Sequence, residues 1–330
     1  MTETEALHTI RILSREGYAL LSFSIIFNRM KKRLFLSILL SLLFLCPLWS
    51  EVLTYHSVLE EDNVIRLNVD WDFSLLDDSS KGYVDEIAKA AIVLSREIYV
   101  SKEALSDCVE KLGYRKLWLE EEENGISEPV VAFAYRRVKG TNYFLIVVRG
   151  TASTSDVLTD IKSLFDNFRH AQEYIMEMFE TYLEEVVGKS PERIKKDKNV
   201  FLVTGHSMGG ACANLLSLSL EEYADRNSIF TYTFACPSVE VENGEGVTNA
   251  INIINENDPV PQMITPIGRY GTDIIFPPET VTDWIYSVIT ERNLEDICGF
   301  TILNKWENHR MDVYFTYVIT RSYTIEKKEW

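Results

Sequence analysis

Gly205-His206-Ser207-Met208-Gly209 sets two glycines symmetrically about a serine. A serine hydroxyl becomes a useful nucleophile only when a base takes its proton and the backbone holds it clear of its own chain. The pentad offers the second condition. In a strand–turn–helix, glycines two residues either side of the serine remove the Cβ atoms that would clash where strand and helix approach. The flanks fit: Val200-Phe201-Leu202-Val203-Thr204 is an apolar, β-rich run, and Ala211, Leu215, Leu218 and Tyr223 recur at helical spacing. The first N–H groups of that helix have no intrahelical partners and sit at its positive end, so Met208 N–H is a candidate donor to an oxyanion forming beside Ser207. Glycine and serine are common, so the pentad by itself is a weak signal; its flanks make it specific.

Such an elbow needs an acid and then a histidine downstream in the chain. His8, His56 and His170 precede the serine and His206 lies inside the turn, which leaves His309 as the general base. Asp225, Asp258, Asp273, Asp283 and Asp296 lie between them. Asp258 alone follows an apolar strand-like run, Ile251 to Ile254, and sits in Asn257-Asp258-Pro259, where this architecture places its acid. Spacings of 51 residues on either side leave room for a strand and a helix per step of a parallel sheet. An Asx-type turn before proline is the competing reading of Asp258.

The elements that must position these residues follow from the rest of the chain. With 330 residues and 46% hydrophobic content, a sizeable core is available. Lys31-Lys32-Arg33, an apolar run from Leu34 to Leu45 and then Cys46 to Ser50 read as a secretory signal peptide over 30–50, too short to span a bilayer comfortably. Residues 1–29 are then an upstream extension, Met30 a candidate start, and 51–330 a single exported domain. The apolar patch Tyr18 to Phe27 keeps a membrane-anchored alternative open. So does a lipidated Cys46, although Leu45 stands where such sites prefer a small residue. The net charge is −17; residues 1–50 carry six Lys/Arg against three Asp/Glu, so residues 51–330 carry −20. That surface does not suit nucleic acid. Cys108, Cys212, Cys236 and Cys298 allow three pairings, which export would permit; Cys212 and Cys236 read as buried small hydrophobes. No metal-ligand spacing occurs.

Periodicity predicts a helix over Val84–Ile98, a second begun by Ser101, strands over Pro129–Val138 and Tyr143–Val148 with Gly140 between them, and a helical stripe from Ile175 to Val186 closed by Gly188. Glu120 to Gly125 reads as a solvated turn, and the stretch from 51 to Gly82 gives no distinct pattern. Phe230–Ala235, Ile251–Ile254 and Thr272–Phe276 complete an α/β pattern with a mostly parallel sheet and helices on both faces. Thr280 to Ile289 reads either as an acyl-pocket lining or as a packing helix.

Val148-Arg149-Gly150-Thr151, Asp156, Asp160, Gly205 to Ala211, Thr233 to Pro237 and Asn257-Asp258-Pro259-Val260-Pro261 together resemble the class 3, fungal-type lipases. The similarity runs from about Val84 to Tyr317, with the motifs in the family's order. It implies an α/β-hydrolase fold, carboxylic ester hydrolysis without a cofactor or metal, and the triad Ser207, Asp258 and His309. It also implies an oxyanion role for Thr151 beside Met208, and a lid over 155–168, with Val157, Leu158, Ile161, Leu164, Phe165 and Phe168 as its apolar stripe, able to contact a membrane or lipid droplet; read from spacing alone, the same stripe fits a core-packing helix. Met208 replaces the usual leucine, and Val157 a common lid tryptophan. Asn167 to His170 matches only loosely, so His170 receives no role, and His309 has one or two extra residues before Tyr314-Phe315. A phospholipase, acyltransferase or peptidase would use the same residues. A non-catalytic binding protein would be expected to have lost one of them.

Overall fold

The computed structural model describes residues 7–11, 22–26, 50–58, 64–77, 82–120, 130–150, 161–239, 249–262, 268–276 and 308–326. Two units divide the chain, Met1–Trp49 and Ser50–Trp330. In the first, β1 (Leu7–Arg11) and β2 (Ser22–Ile26) pair antiparallel, Leu7 opposite Ile26. The expected signal segment, including Cys46, lies outside the described residues except at Ser50.

The second unit is built on a seven-stranded sheet ordered β11-β10-β9-β8-β7-β6-β5. Its strands are β5 (Arg115–Glu120), β6 (Val131–Val138), β7 (Thr141–Val148), β8 (Asn199–His206), β9 (Ile229–Phe234), β10 (Ala250–Asn255) and β11 (Thr272–Phe276). From β7 to β11 neighbouring strands are parallel, while β5, β6 and β7 form an antiparallel meander. β8 lies in the middle and all eight of its residues are buried. A parallel strand covered on both faces has no solvent side, which is why its sequence is a continuous apolar run rather than an alternation.

Alternate residues of the central strands feed two cores. Leu145, Val147, Val200 and Leu202 pack on one face with α1 (Asp85–Glu97), α2 (Lys102–Lys111) and α5 (Met311–Glu326). Phe144, Ile146, Phe201 and Val203 pack on the other with α3 (Ile161–Tyr182) and α4 (Met208–Ser219). The mostly parallel sheet with helices on both faces is therefore the architecture. Ser101 caps α2 by accepting from Ala104 N at 3.1 Å. The helical stripe after Ile175 continues through one π turn, Leu183–Val187, and ends at Gly188 in the left-handed region.

Local pattern fell short at two places. The stretch without a distinct pattern folds as a separate hairpin, β3 (Glu51–His56) and β4 (Val64–Val69), on the face of α1 and α2. Glu120 is not part of a solvated turn: it is the last residue of β5 and pairs with Val131. β5 was hard to read because its register shifts between Arg115 and Trp118 and Lys116 has φ 54°, which breaks the two-residue alternation. β7 begins at Thr141 because Lys139 and Gly140, both at positive φ, make a two-residue hairpin turn.

Candidate active site

β8 ends at His206 and α4 begins at Met208, so Ser207 alone makes the turn, at φ 58° and ψ −127°. That backbone costs a non-glycine residue about 1–3 kcal/mol and persists only when its surroundings impose it. Ser207 N donates to Phe234 O at 2.9 Å, and Ala211 N donates to Ser207 O at 3.1 Å, opening the helical ladder. The two pentad glycines are steric necessities. A Cβ on Gly205 would lie 2.4 Å from Gly209 O, and one on Gly209 would lie 2.3 Å from Val148 O.

His309 sits in the turn that enters α5, and its imidazole spans the gap between the elbow and the loop after β10. Its Nε2 is 2.8 Å from Ser207 Oγ and its Nδ1 is 2.8 Å from Asp258 Oδ2. With Nδ1–H donating to the carboxylate, Nε2 presents its lone pair to the serine hydroxyl, which donates. Serine and histidine are each 4% exposed and Asp258 is fully buried. The Asx-type turn is present as well: Asp258 Oδ1 accepts from Val260 N at 2.9 Å while Oδ2 faces the imidazole. The competing reading and the site reading thus use different oxygens of one carboxylate.

Two side chains that sequence reasoning left without a role touch this line. Tyr314 hydroxyl donates to Asp258 Oδ2 at 2.6 Å, and burial followed by the neighbouring carboxylate raises its pKa well above the ordinary tyrosine value, so it stays a donor. His206 Nε2–H donates to the His309 carbonyl at 2.9 Å, with the two rings 4.7 Å apart. Burial first, and then the His309 charge, lowers the His206 pKa well below the imidazole norm; it remains neutral and does not compete as a base. The aromatic pair after His309 was the available signal for Tyr314, and nothing local marked His206.

Met208 opens α4, its N–H beside Ser207. Thr151 lies outside the described residues, but the chain leading to it is tightly held. Gly150 N donates to the Tyr99 hydroxyl at 2.7 Å, and a Cβ on Gly150 would come 2.6 Å from His206 O. Burial pushes the Tyr99 hydroxyl up to about 12. Of the expected lid, 155–160 lie outside the described residues; from Ile161 the backbone is α3, and Phe168 is buried in the core shared with α4. Residues 280–289 also lie outside the described residues. His170 is exposed, 3.7 Å from Glu173. Cys108, Cys212 and Cys236 are free and buried, and burial raises each thiol to about 12, which suits packing rather than reaction. Among the described residues no group of His, Cys, Asp and Glu could hold a metal, and no helix is long and apolar enough to cross a membrane.

Residues 145–267 match the family described as Lipase (class 3). Over these residues the chain is similar to the class 3 lipases. This segment runs from the middle of β7 through the elbow and the Asp258 loop, and His309 lies beyond it. The class 3 lipase match supports a serine ester hydrolase, and the mostly parallel sheet with helices on both faces is the α/β architecture expected of one. Among solved structures, the triacylglyceride lipase of Rhizomucor miehei is 18% identical, with TM-score 0.39, covering 59% of this chain and 80% of that one. The lipase of Rhizopus microsporus var. chinensis is 17% identical, with TM-score 0.38, covering 58% and 73%. A triacylglycerol lipase described by its serine-protease triad is 20% identical, with TM-score 0.42, covering 61% and 83%. Comparison with curated proteins by sequence finds no match.

Proposed function

We propose that the protein is an exported lipase that hydrolyses carboxylic esters of lipids through Ser207, His309 and Asp258. The observation that carries this is the unbroken hydrogen-bonded line from Ser207 Oγ through the imidazole to a buried carboxylate, at 2.8 Å on each side. His309 Nε2 takes the serine proton as Oγ attacks the ester carbonyl, while Asp258 holds the tautomer and stabilises the imidazolium. The oxyanion is received by Met208 N–H and Thr151 N–H, each worth about 3 kcal/mol to the transition state. His309 then gives its proton to the leaving alcohol. In the second half-reaction it takes one from water, which releases the acid and restores the serine.

The lipid substrate class rests on the class 3 lipase match and on the apolar stripe of 155–168 that follows Thr151. Export rests on the basic-then-apolar order of 30–50. The deciding experiment is labelling of the whole protein with a fluorophosphonate, followed by mass spectrometry of the modified peptide. Labelling at Ser207 alone, with turnover falling on the order of 10⁴-fold or more in Ser207→Ala, is the expected result. Labelling elsewhere, or a Ser207→Ala variant within about tenfold of the parent, would remove the proposal.

A further inference from the structure

His309 belongs to a segment that is itself tethered to the hairpin at the start of the second unit, through a buried aspartate three residues on. Asp312 lies in the first turn of α5 and is 4% exposed. Its carboxylate accepts from the Tyr55 hydroxyl at 2.6 Å, from the Ser57 hydroxyl at 2.7 Å, and from Val58 N at 3.1 and 3.0 Å to its two oxygens. A carboxylate is expensive to bury unless its lone pairs are met, and here β3 and the residues just after it meet them. Tyr55 also stacks on Phe315 of α5, ring centroids 3.8 Å apart and planes 18° apart.

The strand end that makes these contacts is fixed in turn to α1. His56 N donates to Glu97 Oε1 at 2.9 Å, and His56 Nδ1 lies 2.6 Å from Glu97 Oε2. Arg96 Nε donates to the His56 carbonyl at 2.6 Å. α1 lies in the same core as α5 and its Ser95 bonds Thr204 of β8, three residues before the nucleophile. The described contacts therefore close a loop: β8, α1, the end of β3, Asp312, His309 and back to Ser207.

We infer that Asp312 is a positioning residue for the proposed hydrolysis: by anchoring the first turn of α5 to residues 55–58, it sets the distance of His309 from Ser207. The inference rests on the serine-hydrolase reading given above. A base displaced by about 1 Å can cost on the order of 100-fold in turnover without any change in what the site binds. Loss of the anchor thus lowers kcat and leaves KM for a small soluble ester nearly unchanged. The carboxyl group's charge is not itself needed. An asparagine keeps an oxygen for Tyr55 and Val58 N and offers an N–H₂ to Ser57 Oγ, so Asp312→Asn retains most of the activity that Asp312→Ala loses.

The test measures kcat and KM on a soluble short-chain ester for the full chain, Asp312→Ala, Asp312→Asn and Tyr55→Phe, with active sites counted by fluorophosphonate titration. The expected result is a kcat per titrated site lowered about 30-fold or more in Asp312→Ala, within about threefold of the parent in Asp312→Asn, and KM unchanged within about twofold. Tyr55→Phe keeps the ring on Phe315 and removes one hydrogen bond, so it decides the matter if Asp312→Ala does not fold. A drop of about fivefold or more in kcat per site supports the anchor. An unchanged kcat per site, with only a lower melting temperature, overturns it, because a contact that merely holds the fold reduces the number of sites and not their rate. If the parent's Ser207 takes no label, the hydrolase reading has failed and not the anchor. The anchor then stands or falls on the His309 ring resonances, which must shift in Asp312→Ala and return in Asp312→Asn.

Discussion

Tyr314 and His309 meet on one oxygen: the tyrosine hydroxyl donates to Asp258 Oδ2 at 2.6 Å, and His309 Nδ1 lies 2.8 Å from the same atom. The two are five positions apart where the chain enters α5, so one helix start delivers both His309 and a second donor to Asp258. Removing only the hydroxyl, as Tyr314→Phe, keeps the edge-on contact with Phe276, whose ring centroid is 5.6 Å away. A hydrogen bond to a charged group is worth about 1.5–3 kcal/mol, of which part reaches the transition state. Turnover of a soluble ester should fall about tenfold with KM little changed. A variant as fast as the parent would mean that the hydroxyl only fills space.

The choice of acid is tested by setting Asp258→Asn against Asp273→Asn. Asp273 lies on β11, where it pairs with Arg269 at 2.7 Å and accepts from Asn252 at 3.0 Å, and Arg269 also donates to the carbonyls of Cys236 and Pro261. Its neutralisation should lower the melting temperature and leave kcat within about threefold, since a broken partly buried pair acts on stability. Asp258→Asn should lose about 10⁴-fold in kcat, because the amide reverses the tautomer that places a lone pair toward Ser207. Kinetics and thermal melts on both variants decide it; a crippled Asp273→Asn with an active Asp258→Asn would reverse the assignment.

How much of this was legible in the chain depends on how local each feature is. Ser207 could be read because strand, turn and helix are contiguous, and the apolar run before it is long enough to be a buried central strand. His309 followed from the order of the parts and the scarcity of histidines, and Asp258 from the end of β10. Asp312, in contrast, meets Tyr55 across 257 positions. No period or spacing encodes such a pair, and an aspartate in a first helical turn reads as an exposed dipole partner. The β3–β4 hairpin was missed for a related reason: its apolar positions pack on α1 and α2 rather than on the sheet, and β4 alternates exposed and half-buried residues until Val69, its one buried position.

The elbow glycines make a prediction that does not involve catalysis. Gly209→Ala would drive a methyl to within 2.3 Å of Val148 O and 2.7 Å of Gly150 N. These are backbone atoms of neighbouring elements and cannot turn aside, so the cost should be about 3 kcal/mol or more, a fall of about 6–12 °C in melting temperature. Gly210→Ala is the control one residue on. Its methyl would meet Gly205 O and Phe234 O at 3.2 Å, and the helix gains from the reduced freedom of alanine. It should stay within about 1 kcal/mol of the parent by denaturant titration. Equal losses in the two variants would mean that the strand–helix approach is looser than these contacts require.

Substrate class calls for a measurement at a phase boundary. If 155–168 form a lid, opening it exposes an apolar face, and burying that face in lipid returns about 25 cal/mol per Å². Tributyrin hydrolysis should then rise above the solubility limit of the ester, and Leu158→Ser with Phe165→Ser should weaken that rise while sparing soluble esters. A parent rate that saturates smoothly through the limit would leave a soluble esterase.

His206 gives the protein a stability that depends on pH in a defined direction. Its folded pKa lies well below 6.5, with burial as the first cause and the His309 charge as the second. Above pH 6.5 the residue is neutral whether folded or unfolded, so it contributes no slope. Below that value the unfolded chain takes up a proton that the folded chain refuses, and stability falls by up to about 1.4 kcal/mol per pH unit until the folded pKa is reached. Other groups titrate in the same range, so the comparison that isolates this one is His206→Asn, which removes the titration and leaves a polar side chain beside the His309 carbonyl. Denaturant unfolding at pH 7.5 and at pH 5.0 should show the parent losing about 1–2 kcal/mol more than the variant between the two conditions. The variant is less stable at pH 7.5, because the bond to His309 O and the ring packing are gone, and the gap narrows on acidification. Parallel losses in the two proteins would mean that His206 is protonated in the fold and that the bond to His309 is made by an imidazolium.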